Sequence, residues 1–146
     1  MKFLPVRVDN INLLQDFISE LGQEVKSFRY FQKRELNVIM KHLVTLLYID
    51  GDKTIGYGHL EKEGDNVWLG ICVRERYQGK GYGRELMLEL IEEARLKGIN
   101  KIMLTVDKMN SKAVTLYEKM GFNKVNDGEL YYTMEIELKG KHAFIL

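Results

Sequence analysis

Apolar residues recur along this chain in two rhythms. Leu13, Leu14, Phe17, Ile18 and Leu21 fall three or four apart, which predicts a helix capped by Asp9 or Asn10 and stopped at Gly22, after a short first strand over Lys2 to Val8. A second helical stretch is expected between Gln32 and Leu43. The rhythm then shortens. Val44 to Asp50 and Thr54 to Glu61 are rich in β-formers and flank Asp50-Gly51-Asp52-Lys53, so they read as a hairpin, and a second turn at Glu63-Gly64-Asp65-Asn66 leads into a strand over Val67 to Val73. Leu86, Met87, Leu90, Ile91 and Ala94 restore the helical stripe, which ends at Gly98. Lys101 to Asp107 is a nearly continuous apolar strand, expected to be buried on both faces and, as the end of a strand-helix-strand unit, parallel to the one before it. Ala113, Val114, Leu116, Tyr117 and Met120 predict a further helix stopped by Gly121. Phe122 to Val125, the turn Asn126-Asp127-Gly128 and Leu130 to Leu138 predict a closing hairpin. An antiparallel half joined to a parallel pair is an α+β (mixed α/β) arrangement with a mostly antiparallel sheet.

Composition narrows the class. The 146 residues are 45% hydrophobic and 29% charged, a mixture suited to a packed globular core, and Pro occurs once, at Pro5, with no Gly- or Ser-rich linker or internal repeat to divide the chain. One domain over residues 1–146 is expected. The formal net charge is only +1, and its lysines and arginines alternate with acids, so the electrostatics of a nucleic-acid binder are missing. No apolar run approaches the roughly 18 residues of a membrane helix, the longest being Leu43 to Ile49. Cys72 is the single cysteine, which rules out a disulfide framework and suits a reducing, cytoplasmic setting. His42, His59 and His142 show no metal-ligand spacing in sequence, so no metal is expected, and His42 and His142 read as ordinary surface or core histidines.

The strongest chemical signal is Gln78-Gly79-Lys80-Gly81-Tyr82-Gly83-Arg84, between a buried strand and an amphipathic helix. The first amides of a helix lack intrahelical partners and carry the positive end of its dipole, so a glycine-rich entry lets several N–H groups converge on one anion, with Lys80 and Arg84 adding full charges. A Walker loop would need glycine at Arg74, and a dinucleotide fingerprint would need glycine at Arg84; both patterns fail. The pattern that fits is Gln/Arg-x-x-Gly-x-Gly/Ala. It is followed, one helix and one strand later, by Asn110-Ser111-Lys112-Ala113-Val114-Thr115-Leu116-Tyr117-Glu118-Lys119-Met120-Gly121-Phe122, similar to an Asn-x-x-Ala-x-x-Leu-Tyr-x-x-x-Gly-Phe segment. By these two motifs and the order of elements the chain resembles the GNAT superfamily of N-acetyltransferases over nearly its whole length.

That resemblance implies acetyl-CoA as cofactor, with CoA as product, held in a cleft between two splayed parallel strands and gripped at its pyrophosphate by residues 78–84. Backbone groups of Ile71, Cys72 and Val73 would meet the pantetheine, and acetyl would pass directly to an amine, which leaves Cys72 a small apolar residue instead of a nucleophile. Tyr117 matches the family's general acid, although its spacing with Ala113, Val114 and Met120 equally suits a core aromatic. Asn110 would bond the cofactor, cap the helix, or do both. On the acceptor side, His59 and Glu61 alternate with Tyr57 on one strand face and are the candidate bases, with a solvated strand face as the alternative. Phe28-Arg29-Tyr30-Phe31 would line the acceptor pocket, its aromatic faces suiting an amino sugar and Arg29 an acidic group, unless Phe28 and Phe31 merely anchor a helix. The implied function is acetyl transfer to the primary amine of a small molecule or protein; the competing one is a non-catalytic acyl-CoA-binding or sensor module. No nucleic-acid or membrane partner is expected, and the chain would be a monomer or a homodimer, with Ala143-Phe144-Ile145-Leu146 as a possible subunit contact.

Overall fold

The computed structural model describes residues 1–26 and 28–138. Ten elements carry the fold: β1 (Lys2–Pro5), α1 (Ile11–Ser19), β2 (His42–Asp50), β3 (Lys53–Glu63), β4 (Asn66–Val73), α2 (Tyr82–Leu96), β5 (Lys101–Asp107), α3 (Ser111–Met120), β6 (Asn123–Asp127) and β7 (Tyr131–Glu137). The strands form one seven-stranded sheet in the order β1-β2-β3-β4-β5-β7-β6. Only β4 and β5 run parallel, and the other neighbouring pairs are antiparallel. The expected α+β class, the β2–β3 and β6–β7 hairpins and the parallel pair are all present.

Each face of the sheet is covered by its own apolar cluster. On one, the stripe of α2 (Leu86, Met87, Leu90, Ile91 and Ala94) and α3 residues Val114 and Tyr117 pack on strand residues that include Leu60, Leu69, Ile102, Leu104 and Met134. The other is smaller: Leu14 and Phe17 of α1 close over Leu47, Tyr57 and Cys72. Glycine makes the first packing possible, because a Cβ at Gly58 would stand 2.7 Å from Leu90 Cδ1. Gly51 and Gly64 adopt the positive φ that the two hairpin turns need.

Four local expectations change. β1 ends at Pro5, short of Val8. α1 ends at Ser19, before Gly22, and Asn10 stands at its N-cap without a side-chain cap bond: its Oδ1 accepts from the Arg7 amide at 2.6 Å, and its Nδ2 donates to the Pro5 carbonyl at 3.0 Å. Between Gln32 and Leu43 there is no α-helix but a 3₁₀ turn over Leu36–Lys41. Of its apolar residues only Ile39 is buried and Met40 is exposed, so the segment has no continuous apolar stripe to hold an α-helix on the sheet. β5, finally, is not buried on both faces. Ile102, Leu104 and Val106 are covered, Met103 and Asp107 only partly, and Thr105 is exposed. The reason lies in the helices: α2 and α3 share one face with β5, while the cluster under α1 contains no β5 residue. The uncovered face of β5 becomes a wall of the cleft described below.

Truncating Leu90 removes the side chain that fills the space above Gly58. Leu90→Ala should cost on the order of 2–5 kcal/mol, read as a lower midpoint in urea at unchanged slope; a midpoint within error of the parent would show that this contact does not anchor α2.

Candidate active site

β4 and β5 meet at one register position, Trp68 opposite Met103. Beyond it β4 stays paired with β3 on its other edge, through Ile71 with Gly58, Cys72 with Tyr57 and Val73 with Gly56. From Gly70 to Val73, then, the edge facing β5 has no strand partner, and apart from the Val73 carbonyl, which accepts from Gln78 Nε2, its backbone groups are available to a ligand that presents amides of its own. The gap opens a cleft of about 820 Å³ with Ile71, Cys72 and Val73 on one wall and Thr105, Val106 and Asp107 on the other.

One end of this cleft is the glycine loop. Gly79 and Gly81 have φ of +77° and +90°, and a Cβ at either would meet nothing within 4 Å, so the backbone is open and held in a conformation that suits glycine. Gly81 is the N-cap of α2 and supplies no side-chain cap; the first α-helical bond runs from the Glu85 amide to its carbonyl at 3.1 Å. The amides of Tyr82, Gly83 and Arg84 are thereby free of intrahelical partners and stand at the positive end of the helix. Gln78, Gly79, Gly81, Gly83 and Arg84 line the cleft. Two expected members do not: Tyr82 turns away to pack edge-on against Tyr48 and Tyr77, and Lys80 is exposed outside the lining. Gln78 is partly spent within the loop, since its Nε2 donates to the Val73 carbonyl at 2.9 Å. An open, amide-rich cradle beside an unpaired strand edge fits a molecule with a pyrophosphate at one end and amides along its arm, as CoA has.

Midway along the cleft stands Tyr117. Its ring packs against Phe122, at 6.0 Å between centroids, while its hydroxyl makes no hydrogen bond among the described residues. Burial, with a smaller contribution from Cys72, raises its pKa well above the ordinary phenol value, so the hydroxyl keeps its proton at neutral pH. Core packing and cleft lining coexist in this one side chain. Asn110 also serves twice, because its Oδ1 accepts from the Ala113 amide at 3.2 Å as the cap of α3 while the residue lines the cleft. Burial pushes the Cys72 thiol up to about 12, so it is neutral and a weak nucleophile.

At the far end Tyr30, His59 and Glu61 come together, as the sequence suggested, but with a fourth member. The Tyr30 hydroxyl donates to Glu61 Oε1 at 2.7 Å and lies 2.7 Å from Nε2 of His42, whose Nδ1 is 2.9 Å from Thr45 Oγ1. His59 shares a 2.6 Å hydrogen bond with the buried Tyr57 hydroxyl through Nδ1, and its ring lies over Gly70, where a Cβ would sit 2.4 Å from His59 Cε1. Burial lowers the pKa of both histidines, that of His42 to about 4, so both are neutral at pH 7. His42 is therefore not an ordinary histidine, and sequence spacing misled because β2 and β3 set His42 opposite Glu61. Counting outward from Asp50 opposite Lys53 gives this pair, since the two register shifts between them cancel. Single ligand atoms of His42, His59 and Glu61 lie within 4.8 Å of one another, a proximity that the spacing argument overlooked. The two rings, however, stack at 4.3 Å and 25°, so their in-plane lone pairs do not converge as ligands of one ion must, and the Tyr30 hydroxyl stands between His42 and Glu61.

Arg29 is engaged within the chain: its Nη2 bonds Asp107 Oδ1 at 3.2 Å and the Tyr131 hydroxyl at 2.5 Å, strapping the 28–31 segment to β5 and β7. Phe28 lines the cleft, whereas Phe31 does not; both pack on Tyr57 at 5.5 Å and anchor a short 3₁₀ turn, Tyr30–Gln32, instead of a helix. The residues 143–146 and His142 lie outside the described residues.

A parallel pair parted around a glycine-rich helix start defines a fold with a cleft for a CoA-like carrier, and comparison with known proteins gives the family. The profile of the Acetyltransferase (GNAT) family matches residues 10–122, and the chain belongs to that family. It is 29% identical over 123 residues to the [Ribosomal protein bS18]-alanine N-acetyltransferase of Haemophilus ducreyi, covering 82% of this chain and 85% of that protein. It is also 38% identical over 76 residues to the mycothiol acetyltransferase of Streptosporangium roseum, covering 52% of this chain; the match spans only 22% of that relative's length. Among solved structures, the GNAT domain of S. lividans PAT superposes with a TM-score of 0.81 at 19% identity, covering 93% of this chain and 89% of that one. A Salmonella typhimurium structure with its cofactor acetyl-CoA superposes at 0.73 and 17% identity, covering 94% of each chain. No helix among the described residues is long and apolar enough to cross a membrane.

Two outcomes test this geometry. Gly81→Val, at a positive φ that a branched side chain rarely adopts, should weaken acetyl-CoA binding at least about tenfold by calorimetry while the protein stays folded; unchanged affinity would remove the loop from the binding site. Unfolded imidazoles protonate near the ordinary value of 6.5, whereas His42 in the fold waits until about pH 4. The unfolded chain therefore takes up the proton first, so the stability linked to His42 is complete above pH 6.5 and drains away as pH falls toward 4. The melting temperature should drop over that interval by less in His42→Gln than in the parent, and equal drops would mean that His42 titrates alike in both states.

Proposed function

We propose that this protein transfers acetyl from acetyl-CoA to a primary amine, in the cytoplasm. The observation that carries the reading is that one cleft holds both an uncharged phenol, Tyr117, and an acceptor-side carboxylate, Glu61, beside an amide-rich cradle. Acetyl-CoA, when bound, supplies the activated acetyl thioester. Residues 78–84 and the free edge of β4 hold the carrier and direct its thioester end away from the loop. An amine arrives protonated at neutral pH, and the Glu61 carboxylate receives its proton, leaving a nitrogen lone pair free to attack. The Tyr117 hydroxyl holds the proton that the departing sulfur takes up. Neutral His59 is the alternative acceptor of the amine proton, and Cys72, a buried thiol, takes no covalent part.

The acceptor end, with Phe28, Tyr30 and Trp68 beside Glu61 and Glu63, suits a cationic amine carried on a small body or an extended chain. The names of the relatives support both a protein alanine and a small-molecule amine as acceptors. The competing reading, a non-catalytic acyl-CoA sensor, needs neither the phenol nor the carboxylate. Release of free CoA thiol with a panel of glucosamine, spermidine and an alanine-initiated hexapeptide separates the two, since a sensor turns over none of them.

Tyr117→Phe keeps the ring and removes the proton donor, so kcat should fall on the order of 10²-fold with little change in acetyl-CoA affinity. Parental turnover would leave Tyr117 a packing residue. Glu61→Gln should lower kcat/KM on the order of 10²-fold with the acetyl-CoA KM little changed; if His59→Gln does so instead, His59 is the base.

A further inference from the structure

The proton inventory at the acceptor end admits one arrangement for ionised Glu61. A carboxylate can only accept, so the single proton of the Tyr30 hydroxyl is committed to Glu61 Oε1. The 2.7 Å contact between that hydroxyl and His42 Nε2 must then be donated by the imidazole, which requires the Nε2–H tautomer. Nδ1 is consequently bare and accepts the proton of Thr45 Oγ1 at 2.9 Å. The directed chain is Thr45 to His42 to Tyr30 to Glu61, and every member lies on β2, on β3 or in the segment above them.

We propose that His42 is a positioning residue of the acceptor site: it fixes the Tyr30 hydroxyl, and through it the Glu61 carboxylate, facing the amine. The inference rests on Glu61 as proton acceptor. The Tyr30 ring packs on Phe31 at 4.9 Å and on His59 at 4.3 Å, which places the ring, but the direction of its hydroxyl proton is set by the two hydrogen bonds it shares, one with Glu61 and one with His42. His42 is itself held from three sides: by the Thr45 bond, by the stacked His59 ring at 4.3 Å, and by the backbone pairing that sets it opposite Glu61. The charged or titratable groups that face it are Tyr30 and Arg34 from the preceding segment and His59 and Glu61 from β3. Arg34, stacked over Tyr30 at 4.2 Å, and the surrounding burial both oppose protonation of His42, whereas Glu61 favours it. Burial dominates, so the imidazole stays neutral and keeps the donor role over the range in which an amine is acetylated.

The tautomer can be read without any acceptor. Imidazole ¹⁵N spectra of the free protein should show His42 protonated at Nε2 and bare at Nδ1 from pH 5 to 8, and Tyr30→Phe should release this preference. A His42 protonated at Nδ1 and bare at Nε2 in the parent would overturn the proposal. Turnover gives the functional arm, measured with acetyl-CoA and those of glucosamine, spermidine and the alanine-initiated hexapeptide that the parent acetylates. His42→Leu and Tyr30→Phe should each lower kcat on the order of tenfold with acetyl-CoA KM within about twofold, and the double variant should lose no more than either single one. His42→Gln, whose amide can still donate to Tyr30, should recover most of the loss. Should His42→Leu fail to fold, Tyr30→Phe and His42→Gln still decide. Parental kcat in Tyr30→Phe, or no recovery in His42→Gln, would overturn the positioning role. An inert Glu61→Gln substitution, or a parent that acetylates none of the three amines, would instead break the reading of the site on which it rests, while the tautomer still reports whether His42 holds Tyr30.

Discussion

The parting of β4 from β5 is the constraint on which the rest of this protein depends. Parallel strands normally satisfy each other along their length, yet here a single residue pair holds them together and the strands then diverge. A gap in the middle of a sheet would be costly if its backbone groups were sealed from water and left unpaired. Two features make it tolerable. β4 keeps its full antiparallel ladder with β3, and β5 keeps its own with β7, so each half of the sheet stands without the other. α2 and α3 pack across residues of both halves from one side, so the halves are joined through side chains where they are not joined by hydrogen bonds. The other face can then remain open, and the opening is the cleft.

That division of labour explains where the chemistry sits. The backbone proposed to grip a carrier comes from the loop and strand edge at the C-terminal end of β4, whereas the groups proposed to handle protons, Tyr117 and Glu61, are side chains that line the gap. The loop does its work with backbone, which explains why Lys80 and Tyr82 can turn outward without loss of the cradle. Tyr117 needs both environments. Its ring belongs to the core that bridges the two halves, and the residue lines the gap between them, so the packing that holds the sheet together also positions the phenol proposed as proton donor.

The stripe of α2, the two hairpins, the glycine-rich loop and the Asn110 to Phe122 motif were legible in the sequence because each is local: periodicity, turn glycines and caps depend on residues within a few positions of each other. The Asn10 side chain was lost to a local competitor, since it turns back to Arg7 and Pro5, but the larger misreadings depend on what lies across the sheet. Met103 and Thr105 are as compatible with a doubly buried strand as with a half-open one, and only the placement of α1 away from β5 decides between them. Gln32 to Leu43 contains enough apolar residues for a helix, but only Ile39 is fully buried, with Leu36 partly covered on the same cluster. His42 is an intermediate case. Its pairing with Glu61 follows from register counted out from the turn, whereas the arrival of Tyr30 between them depends on an irregular segment whose course no periodicity describes.

The acceptor end also shows how a polar cluster can be kept close to an apolar core. Tyr57 is fully buried and His59 nearly so, beside Leu47 and Phe17, an environment in which unpaired polar atoms would be strongly destabilising. Each instead has a partner: Tyr57 with His59, Thr45 with His42, His42 with Tyr30, and Tyr30 with Glu61. Burial holds both imidazoles neutral, so the only formal charge within these bonds is that of Glu61, which lines the cleft. Satisfaction of the buried groups and exposure of the carboxylate are thus two ends of the same arrangement. A carboxylate proposed to exchange protons with a substrate can face the cleft because the buried end of the cluster is already paired.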